Sequence, residues 1–330
     1  METETFRLHV DTLKDGTKVV LYGEVYGNPN GVPAVYLHGG PGNGDTVASA
    51  HSTDARDVFD ARRYRIILFD QRGCGHSTPR NHLEKNTTEH LLRDVETIRQ
   101  IVNGGKRWVV AGGSWGSALA LLYAQRFPAV PLGLILRGVY DLSVGHPELD
   151  AHPEVEQEQE ELVGVSPKKF SFVAKSLKII QGKRTKTRRR LIESLVDDRL
   201  MYASPQKNLA HDTPFKDQET IALLSQHYEA NHFFMPKNYI YKHLSRIQHI
   251  PVIMVQGLYD IICPIHIARK IKAQLPLCKL LVVKAGHTMH EPLIKAGLKR
   301  AAKDMLNRII INSNTPGAGP SHPASYSHFP

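Results

Sequence analysis

Short apolar runs closed by turn residues alternate with helical stretches over the first third of the chain and again near its end. Runs of this kind, separated by helices, are typical of a parallel sheet that is covered on both faces. We predict strands over residues 18–26, 34–38, 65–70, 108–112, 132–137, 251–257 and 279–284. The pattern therefore predicts an α/β fold with a mostly parallel sheet flanked by helices.

Helical periodicity links several of these strands. One predicted helix has its apolar positions on a single face, and these are Leu91, Val95, Ile98 and Val102. Asn86, with Glu89 three residues later, predicts a capping box at the start of that helix. A second helix is predicted to begin near Ser114 and to end before Pro128. The apolar face of a closing helix is formed by Ile294, Leu298, Ala301 and Met305.

Residues 141–248 interrupt this rhythm, because they are polar and helical and contain no convincing parallel strand. We predict that they form a helical cap, inserted into a sheet domain made of residues 1–140 and 249–311. An insertion at one rim of a sheet is well placed to act as a lid. Residues 312–330 are mostly small or polar, so we expect a disordered tail there.

Composition excludes the non-globular classes. The chain has 330 residues, 41% hydrophobic and 22% charged, which rules out a collagen, a coiled-coil rod and a wholly disordered chain. Lys and Arg exceed Asp and Glu by 42 − 32 = 10, and part of this excess lies in the run 183–190. We interpret the run as a solvated helix start, with a nucleic-acid patch or a localisation signal as alternatives. No nucleic-acid fold signature accompanies it, so we expect no nucleic-acid partner.

Three cysteines, Cys74, Cys263 and Cys278, are too few for a disulfide framework and lack metal-ligand spacing, so we expect no metal. The N-terminal residues are acidic and polar, where a signal peptide needs a basic start and an apolar core. No apolar run approaches the roughly 20 residues of a membrane span, so we expect no membrane partner. These features favour a reducing, cytoplasmic location.

The strongest chemical signal is the segment Gly112-Gly-Ser-Trp-Gly-Ser117, which lies between a predicted strand and a predicted helix. It fits the G-x-S-x-G nucleophile elbow with Ser114 at the apex, where the turn is too tight for flanking side chains. The helix N-terminus behind Ser114 offers free N–H groups to a developing oxyanion. The alternative is a structural glycine-rich turn, which the strand–turn–helix setting disfavours.

An acid and a base should follow the serine in the order Ser, Asp, His. Asp260 follows the strand predicted at 251–257, and His287 follows the next strand in the segment Ala285-Gly-His287. Both lie at the carboxyl ends of strands, where open α/β sheets place their ligands. The base must contact the serine hydroxyl, and the acid must orient the imidazole. Among 18 histidines the main competitor is His290, and the strand-Gly-His context favours His287.

A glycine-rich loop, His38-Gly-Gly-Pro-Gly42, follows an early strand. Loops of the HGGG type supply one donor of an oxyanion hole in sheet hydrolases. We expect the N–H of Gly40 to act with that of Trp115, since only glycine permits so close an approach to a substrate oxygen. An ordinary turn is the alternative, and it is disfavoured because the loop falls where the elbow requires its partner.

Together with Asp70-Gln-Arg-Gly-Cys-Gly-His-Ser77, Leu136-Arg-Gly138 and Tyr259-Asp-Ile-Ile-Cys-Pro264, these motifs resemble the proline iminopeptidase (prolyl aminopeptidase) family, peptidase S33 branch of the α/β-hydrolase superfamily. The resemblance covers residues 15–140 and 250–305, approximately. It implies an α/β-hydrolase fold and release of N-terminal proline from peptides through a serine acyl-enzyme. It also implies Ser114 as nucleophile, His287 as general base and Asp260 as its orienting acid, with no metal or organic cofactor.

The cap departs from the family pattern. Family members carry a Trp-x-x-Trp-Glu segment whose glutamate holds the substrate amine, but this chain has no tryptophan after Trp115. Its nearest acids are Asp197 and Asp198. Ser225 stands where the family has a second amine-binding glutamate, and Glu229 lies one helical turn beyond it. Because a buried ammonium needs a carboxylate partner, Glu229 is the first candidate to bind it, followed by Asp197 and Asp198.

Three classes of function are compared. The first is an aminopeptidase that releases N-terminal proline or another small residue. The second is an esterase, lactonase or amidase of the same fold, acting on a peptide or small molecule without a free amine; the missing glutamates favour it. The third is a non-catalytic binding protein, which is disfavoured because a binder needs neither the Ser-Asp-His set nor the two oxyanion elements.

Overall fold

A single eight-stranded sheet forms the centre of the molecule. The computed structural model describes residues 3–44, 56, 58–142, 153–203 and 213–313, without the side chains of 153, 154, 197–203, 312 and 313. The strands are β1 (Glu4–Thr12), β2 (Lys18–Gly27), β3 (Val32–Leu37), β4 (Tyr64–Phe69), β5 (Trp108–Ser114), β6 (Pro131–Val139), β7 (Val252–Gly257) and β8 (Cys278–Val283). They lie in the order β1-β2-β4-β3-β5-β6-β7-β8. The pairs β1–β2 and β2–β4 are antiparallel and the others are parallel.

Helices cover both faces of this sheet, and a further group of helices lies between β6 and β7 in the chain. The helices that pack on the sheet are α1 (Thr88–Ile101), α2 (Trp115–Arg126), α8 (Ile265–Lys272) and α9 (Pro292–Ser313). Those between β6 and β7 are α3 (Pro153–Val163), α4 (Phe170–Gln181), α5 (Lys186–Ala203), α6 (Phe215–Ala230) and the one-turn α7 (Tyr239–Lys242). Alternate residues of β3 enter opposite cores: Val35 joins the cluster that packs on α1, α2 and α8, whereas Tyr36 joins the one that packs on α9. This period of two is what a strand buried on both faces requires.

The structure contains the seven predicted strands and confirms the α/β-hydrolase fold class. It adds β1, an edge strand whose apolar residues Phe6, Leu8 and Val10 are only partly buried against the core. The predicted capping box is wrong at Asn86, because Thr87 is the residue that caps α1. Asn86 is occupied elsewhere: its amide donates to the His82 carbonyl at 3.0 Å, and its oxygen accepts the Tyr228 hydroxyl at 2.8 Å.

The described residues between β6 and β7 are helical and hold an apolar cluster of their own. Within this segment α6 is fastened to the sheet domain by polar contacts. Arg80 Nη2 donates to Asp217 Oδ1 at 2.8 Å, and the Ser225 hydroxyl donates to the Pro41 carbonyl at 3.3 Å. Since Pro41 belongs to the glycine-rich loop after β3, α6 lies directly over that loop.

Three further expectations concern the surface and the chain end. In the run 183–190 every residue is exposed except Arg188, which is buried and pairs with Glu219. Helix α9 extends to Ser313, two residues into the predicted tail, and residues 314–330 lie outside the described residues. None of the helices within the described ranges combines the length and the apolar composition that crossing a bilayer requires.

Candidate active site

Ser114 occupies the junction between β5 and α2 in a strained backbone conformation. Its φ of 55° and ψ of −125° lie in a region that residues with side chains rarely adopt. The glycines on either side allow the turn: a Cβ on Gly112 would overlap the Gly116 carbonyl, and a Cβ on Gly116 would overlap the Leu37 carbonyl. The tight turn therefore leaves Ser114 half-buried at the carboxyl edge of the sheet, as a nucleophile elbow requires.

Asp260 and His287 come together at the ends of the two neighbouring strands β7 and β8. The Nδ1 atom of His287 lies 3.0 and 2.9 Å from the two carboxylate oxygens of Asp260, and both residues are buried. Burial acts to raise the pKa of Asp260, but the charge and hydrogen bond of His287, with help from the Cys263 amide and Arg137, keep this pKa below its ordinary value. Asp260 is therefore a carboxylate that can orient the imidazole. His290, the competing histidine, is exposed.

The other ring nitrogen of His287 lies next to Arg137, a residue that the motifs did not mark as functional. Arg137 Nη1 lies 3.2 Å from His287 Nε2 and donates to the His287 carbonyl at 2.9 Å. Within the described ranges, the hydrogen bonds of the His287 ring go to Asp260 and Arg137, and none reaches Ser114. The guanidinium of Arg137 is buried and packs against Gly113, next to the serine.

A buried thiol lies beside the serine hydroxyl. Burial and the charge of Asp260 raise the pKa of Cys263 well above its ordinary value, while Arg137 and the Ser114 hydroxyl act in the opposite direction. The Cys263 amide also donates to Asp260 Oδ1 at 2.8 Å. The high pKa keeps the thiol protonated, so Ser114 is the stronger candidate for nucleophile.

The loop 38–42 lies against the elbow. A Cβ on Gly39 would sit 3.4 Å from the Cβ of Ser114, and Gly40 has a φ of 116°. Gln71 ties the loop to the elbow, because its amide donates to the His38 carbonyl at 3.0 Å while its oxygen accepts the indole N–H of Trp115 at 3.1 Å. The two segments that carry the expected oxyanion donors, Gly40 and Trp115, are thus held to each other by one side chain.

Aromatic residues join the elbow to the helical segment above it. The ring of Trp115 lies 5.1 Å from that of Tyr228 in α6 and 5.5 Å from that of Phe233. All three side chains are buried, so this contact closes one side of the region around Ser114. Edge and stacked contacts at these distances stabilise packed aromatic groups.

The candidate residues for binding the substrate amine lie on two different helices, α6 and α5. Ser225 is buried and faces the loop 38–42 through its hydrogen bond to Pro41. Glu229 is half-buried near the C-terminal end of α6, one turn beyond Ser225. Asp197 and Asp198 belong to α5, and their side chains lie outside the described residues. In the part of the chain that the structure describes, no group of three or more His, Cys, Asp or Glu side chains is arranged to hold a metal ion.

Three residues of the site were missed as functional residues by the sequence analysis. Arg137, Gln71 and Gln256 are polar residues at or just beyond the carboxyl ends of buried strands, and each hydrogen-bonds to a member of the candidate site. A polar residue in an otherwise apolar buried strand was the available signal, because burying such a group without a partner is costly.

Comparison with known proteins agrees with this geometry. The family model described as alpha/beta hydrolase fold matches residues 33–292. Among solved structures, an esterase from Thermogutta terrifontis has a TM-score of 0.59 at 16% identity, over 93% of this chain and 99% of that one. A proline iminopeptidase-related protein from Thermus thermophilus has a TM-score of 0.58 at 20% identity, with the same coverage of 93% and 99%. These structural similarities support the fold alone.

Relatives in sequence identify the family within this fold. A probable proline iminopeptidase from Leptolyngbya boryana is 38% identical over 316 residues, which cover 88% of this chain and 90% of the relative. The proline iminopeptidase of Neisseria gonorrhoeae is 34% identical over 313 residues, covering 88% and 94%. Identity at this level over nearly the whole of both chains means that the protein belongs to the proline iminopeptidase family of the α/β-hydrolase fold.

Proposed function

We propose that this protein is a serine peptidase that releases N-terminal proline from peptides through an acyl-enzyme on Ser114. The observation that carries the proposal is the strained elbow at Ser114, with the hydrogen-bonded pair Asp260–His287 at the neighbouring strand ends. Membership of the proline iminopeptidase family supports proline as the residue released. No metal or organic cofactor has a role in this chemistry.

The reaction follows from the positions of these groups. Ser114 Oγ attacks the carbonyl carbon of the substrate proline while its proton passes to His287 Nε2, and Asp260 stabilises the imidazolium. The N–H groups of Gly40 and Trp115 bind the oxyanion that forms. His287 then gives the proton to the leaving amine. In the second half of the reaction His287 takes a proton from water as the water attacks the prolyl ester, and returns it to Ser114 Oγ as proline leaves. Before the first transfer, the Arg137 guanidinium must yield its place at Nε2 to the serine hydroxyl.

The helical segment 141–248 acts in this proposal as a cap over Ser114, on a hydrolase core of residues 1–140 and 249–311. Its support is the packing of Tyr228 on Trp115 and the bond from Ser225 to Pro41. Glu229 is the first candidate to pair with the substrate ammonium, ahead of Asp197 and Asp198. Such a charge-assisted bond contributes on the order of 1.5–3 kcal/mol.

We further propose that the peptidase works in the reducing cytoplasm. Cys74, Cys263 and Cys278 are free thiols, and the first two are buried within the sheet domain. Proteins of oxidising compartments usually pair their cysteines, whereas reducing compartments keep such thiols free.

The proposal is tested by comparing three substrates on the purified protein: a chromogenic prolyl amide, its N-acetylated form and a simple acetyl ester. We expect kcat/KM for the free prolyl amide to exceed that for the blocked amide by about 100-fold, because the amine contributes binding energy. Ser114→Ala should lower kcat by about 1000-fold or more and leave the circular dichroism spectrum unchanged. Equal cleavage of free and blocked proline would instead indicate an esterase or amidase of other specificity.

A further inference from the structure

A fully buried glutamine at the end of β7 holds the triad acid. The Nε2 group of Gln256 donates to Asp260 Oδ2 at 3.1 Å and to the Cys263 carbonyl at 2.7 Å, and its Oε1 accepts the Val139 N–H at 3.0 Å. Both donors and the acceptor of the amide are therefore used, and its solvent exposure is 0%. A side chain satisfied in this way has one orientation, because any rotation would break several buried hydrogen bonds.

The third contact connects Asp260 to the strand beside the nucleophile. Val139 ends β6, and in the parallel pairing of β5 with β6 it is the partner of Ser114. The residue before it, Gly138, lies against the catalytic pair: a Cβ there would sit 2.9 Å from His287 Cε1 and 3.3 Å from Asp260 Oδ2. Gln256 therefore links the acid that follows β7 to the backbone beside Ser114.

We propose that Gln256 is a positioning residue for the hydrolytic reaction, which aims the Asp260 carboxylate at His287 by bridging it to the end of β6. This inference rests on the proposed function, because it assigns Asp260 the role of orienting acid. Gln256 touches neither substrate nor reacting atoms, so its effect passes through Asp260. The charged and titratable groups that surround this carboxylate in the described residues are His287, Arg137 and Cys263.

Two substitutions test the hydrogen bonds of Gln256 separately from the packing of its side chain. Gln256→Glu keeps an acceptor for the Val139 N–H but loses both donors and adds a carboxyl beside Asp260. Gln256→Met keeps the approximate volume and loses all three hydrogen bonds. We expect both variants to lower kcat by about 10- to 100-fold with KM nearly unchanged, because misorientation of the imidazole affects the transition state.

The pH profile distinguishes the two variants. The carboxyl of Gln256→Glu lies beside Asp260, and negative charge on this pair favours the protonated form of the imidazole that Asp260 contacts, so the acid limb of kcat/KM should move to higher pH. The neutral Gln256→Met adds no charge and should lower the rate without that upward shift. If Gln256 had a purely structural role, neither the acid limb of the kcat/KM profile nor kcat per folded molecule would change in these variants.

Gln125 provides a matched control. It is equally buried on α2, where its Nε2 donates to the Ile240 carbonyl at 2.8 Å, and it does not contact the triad. Gln125→Glu and Gln125→Met should lower the melting temperature but leave kcat and the acid limb unchanged. All rates are expressed per folded molecule, measured by circular dichroism, so partial misfolding cannot imitate the effect.

A serine-directed fluorophosphonate distinguishes failure of this inference from failure of the proposed function. We expect wild type to be labelled rapidly and the Gln256 variants about 10- to 100-fold more slowly, since the same base activates Ser114 toward the probe. If wild type is labelled and the Gln256 variants match the Gln125 variants in labelling, kcat and pH profile, the inference fails and the proposed function stands. If wild type is neither labelled nor active on any substrate, both fail.

Discussion

Arg137 Nη1 lies 3.2 Å from His287 Nε2, the nitrogen that receives the Ser114 proton in the proposed reaction. The same atom donates to the His287 carbonyl at 2.9 Å, so the cation holds the loop that carries the base. A guanidinium stays charged throughout the working pH range of an enzyme. Arg137 and the serine hydroxyl consequently compete for one acceptor.

Replacing Arg137 with methionine should change the pH dependence of the reaction. Removing a positive charge this close to the base makes protonation of the imidazole easier, so the acid limb of kcat/KM should move to higher pH by about one unit. The measurement is kcat/KM for a prolyl amide across the acid and neutral range. Arg93→Met on the exposed face of α1 is the control and should leave the limb in place. An unmoved limb in Arg137→Met would contradict the role of this charge.

The elbow should not tolerate a side chain at Gly116. A Cβ there would overlap the carbonyl oxygen of Leu37 at the end of β3, so Gly116→Ala must push two buried backbones apart. We expect a loss of about 3 kcal/mol or more in the free energy of unfolding, measured by urea titration.

Gly182→Ala is the matched control for this substitution. Gly182 has a φ of −75°, which alanine adopts freely, and its Cβ would lie 3.2 Å from the Ile179 carbonyl. Gly182→Ala should change the free energy of unfolding by no more than about 1 kcal/mol in either direction. Equal stability of the two alanine variants would show that the elbow is not as closely packed as described.

The substrate amine provides a test of the cap. If Glu229 pairs with the ammonium, Glu229→Gln should raise KM for free prolyl amides by about 10- to 100-fold, the equivalent of one charge-assisted bond. Hydrolysis of a simple ester should hardly change, since that substrate has no amine. Glu160→Gln, on the exposed surface of α3, serves as the control. A KM that stays constant in Glu229→Gln would remove this residue from the site.

Buried histidines should make the fold sensitive to mild acid. Burial lowers the pKa of His38 and of His227 below the ordinary value of 6.5, although the Gly39 and Asn86 carbonyls act in the opposite direction. The unfolded chain therefore takes up protons near that pH while the folded chain does not. Stability is complete above the unfolded pKa and declines as pH falls toward the folded values, by up to about 1.4 kcal/mol per pH unit for each histidine.

The measurement is the urea midpoint at about pH 7.5 and about pH 5.5, on either side of the unfolded value. We expect a lower midpoint at the acid pH for wild type and a smaller fall for His227→Gln, whose amide still donates to the Asn86 carbonyl but does not titrate. Identical midpoints at the two pH values in wild type would contradict the assignment of neutral buried histidines.

Most strands of the sheet were predictable because they are apolar runs in the sequence. Residues of β5 and β7 are buried on both faces, and burial of that kind favours a largely apolar run. The edge strand β1 was missed because only alternate residues, such as Phe6 and Leu8, contact the core. The cap of α1 was misplaced by one residue, since Asn86 and Thr87 are both good caps and the side chain of Asn86 is engaged instead by Tyr228 and the His82 carbonyl.

The site divides in the same way. Ser114, Asp260 and His287 follow strands in the order that the chemistry requires, and the structure brings Asp260 and His287 into hydrogen-bond contact, so this part of the site stays a prediction with one of its two expected contacts present. The partners of Gln71, Gln256 and Arg137 were not predicted, because a polar residue at the end of a buried strand shows that it needs a partner but not which residue that partner is. The amine site depends on which way cap side chains face, and helical periodicity alone does not fix that for Glu229.

The central claim, a prolyl acyl-enzyme on Ser114, is tested most directly by trapping that intermediate. A prolyl ester is mixed with the protein, the reaction is quenched with acid before steady state, and the adduct is located by peptide mass spectrometry. The account predicts one prolyl group on Ser114 in wild type and none in Ser114→Ala. A prolyl group on any other residue, or proline release by Ser114→Ala at the wild-type rate, would contradict it.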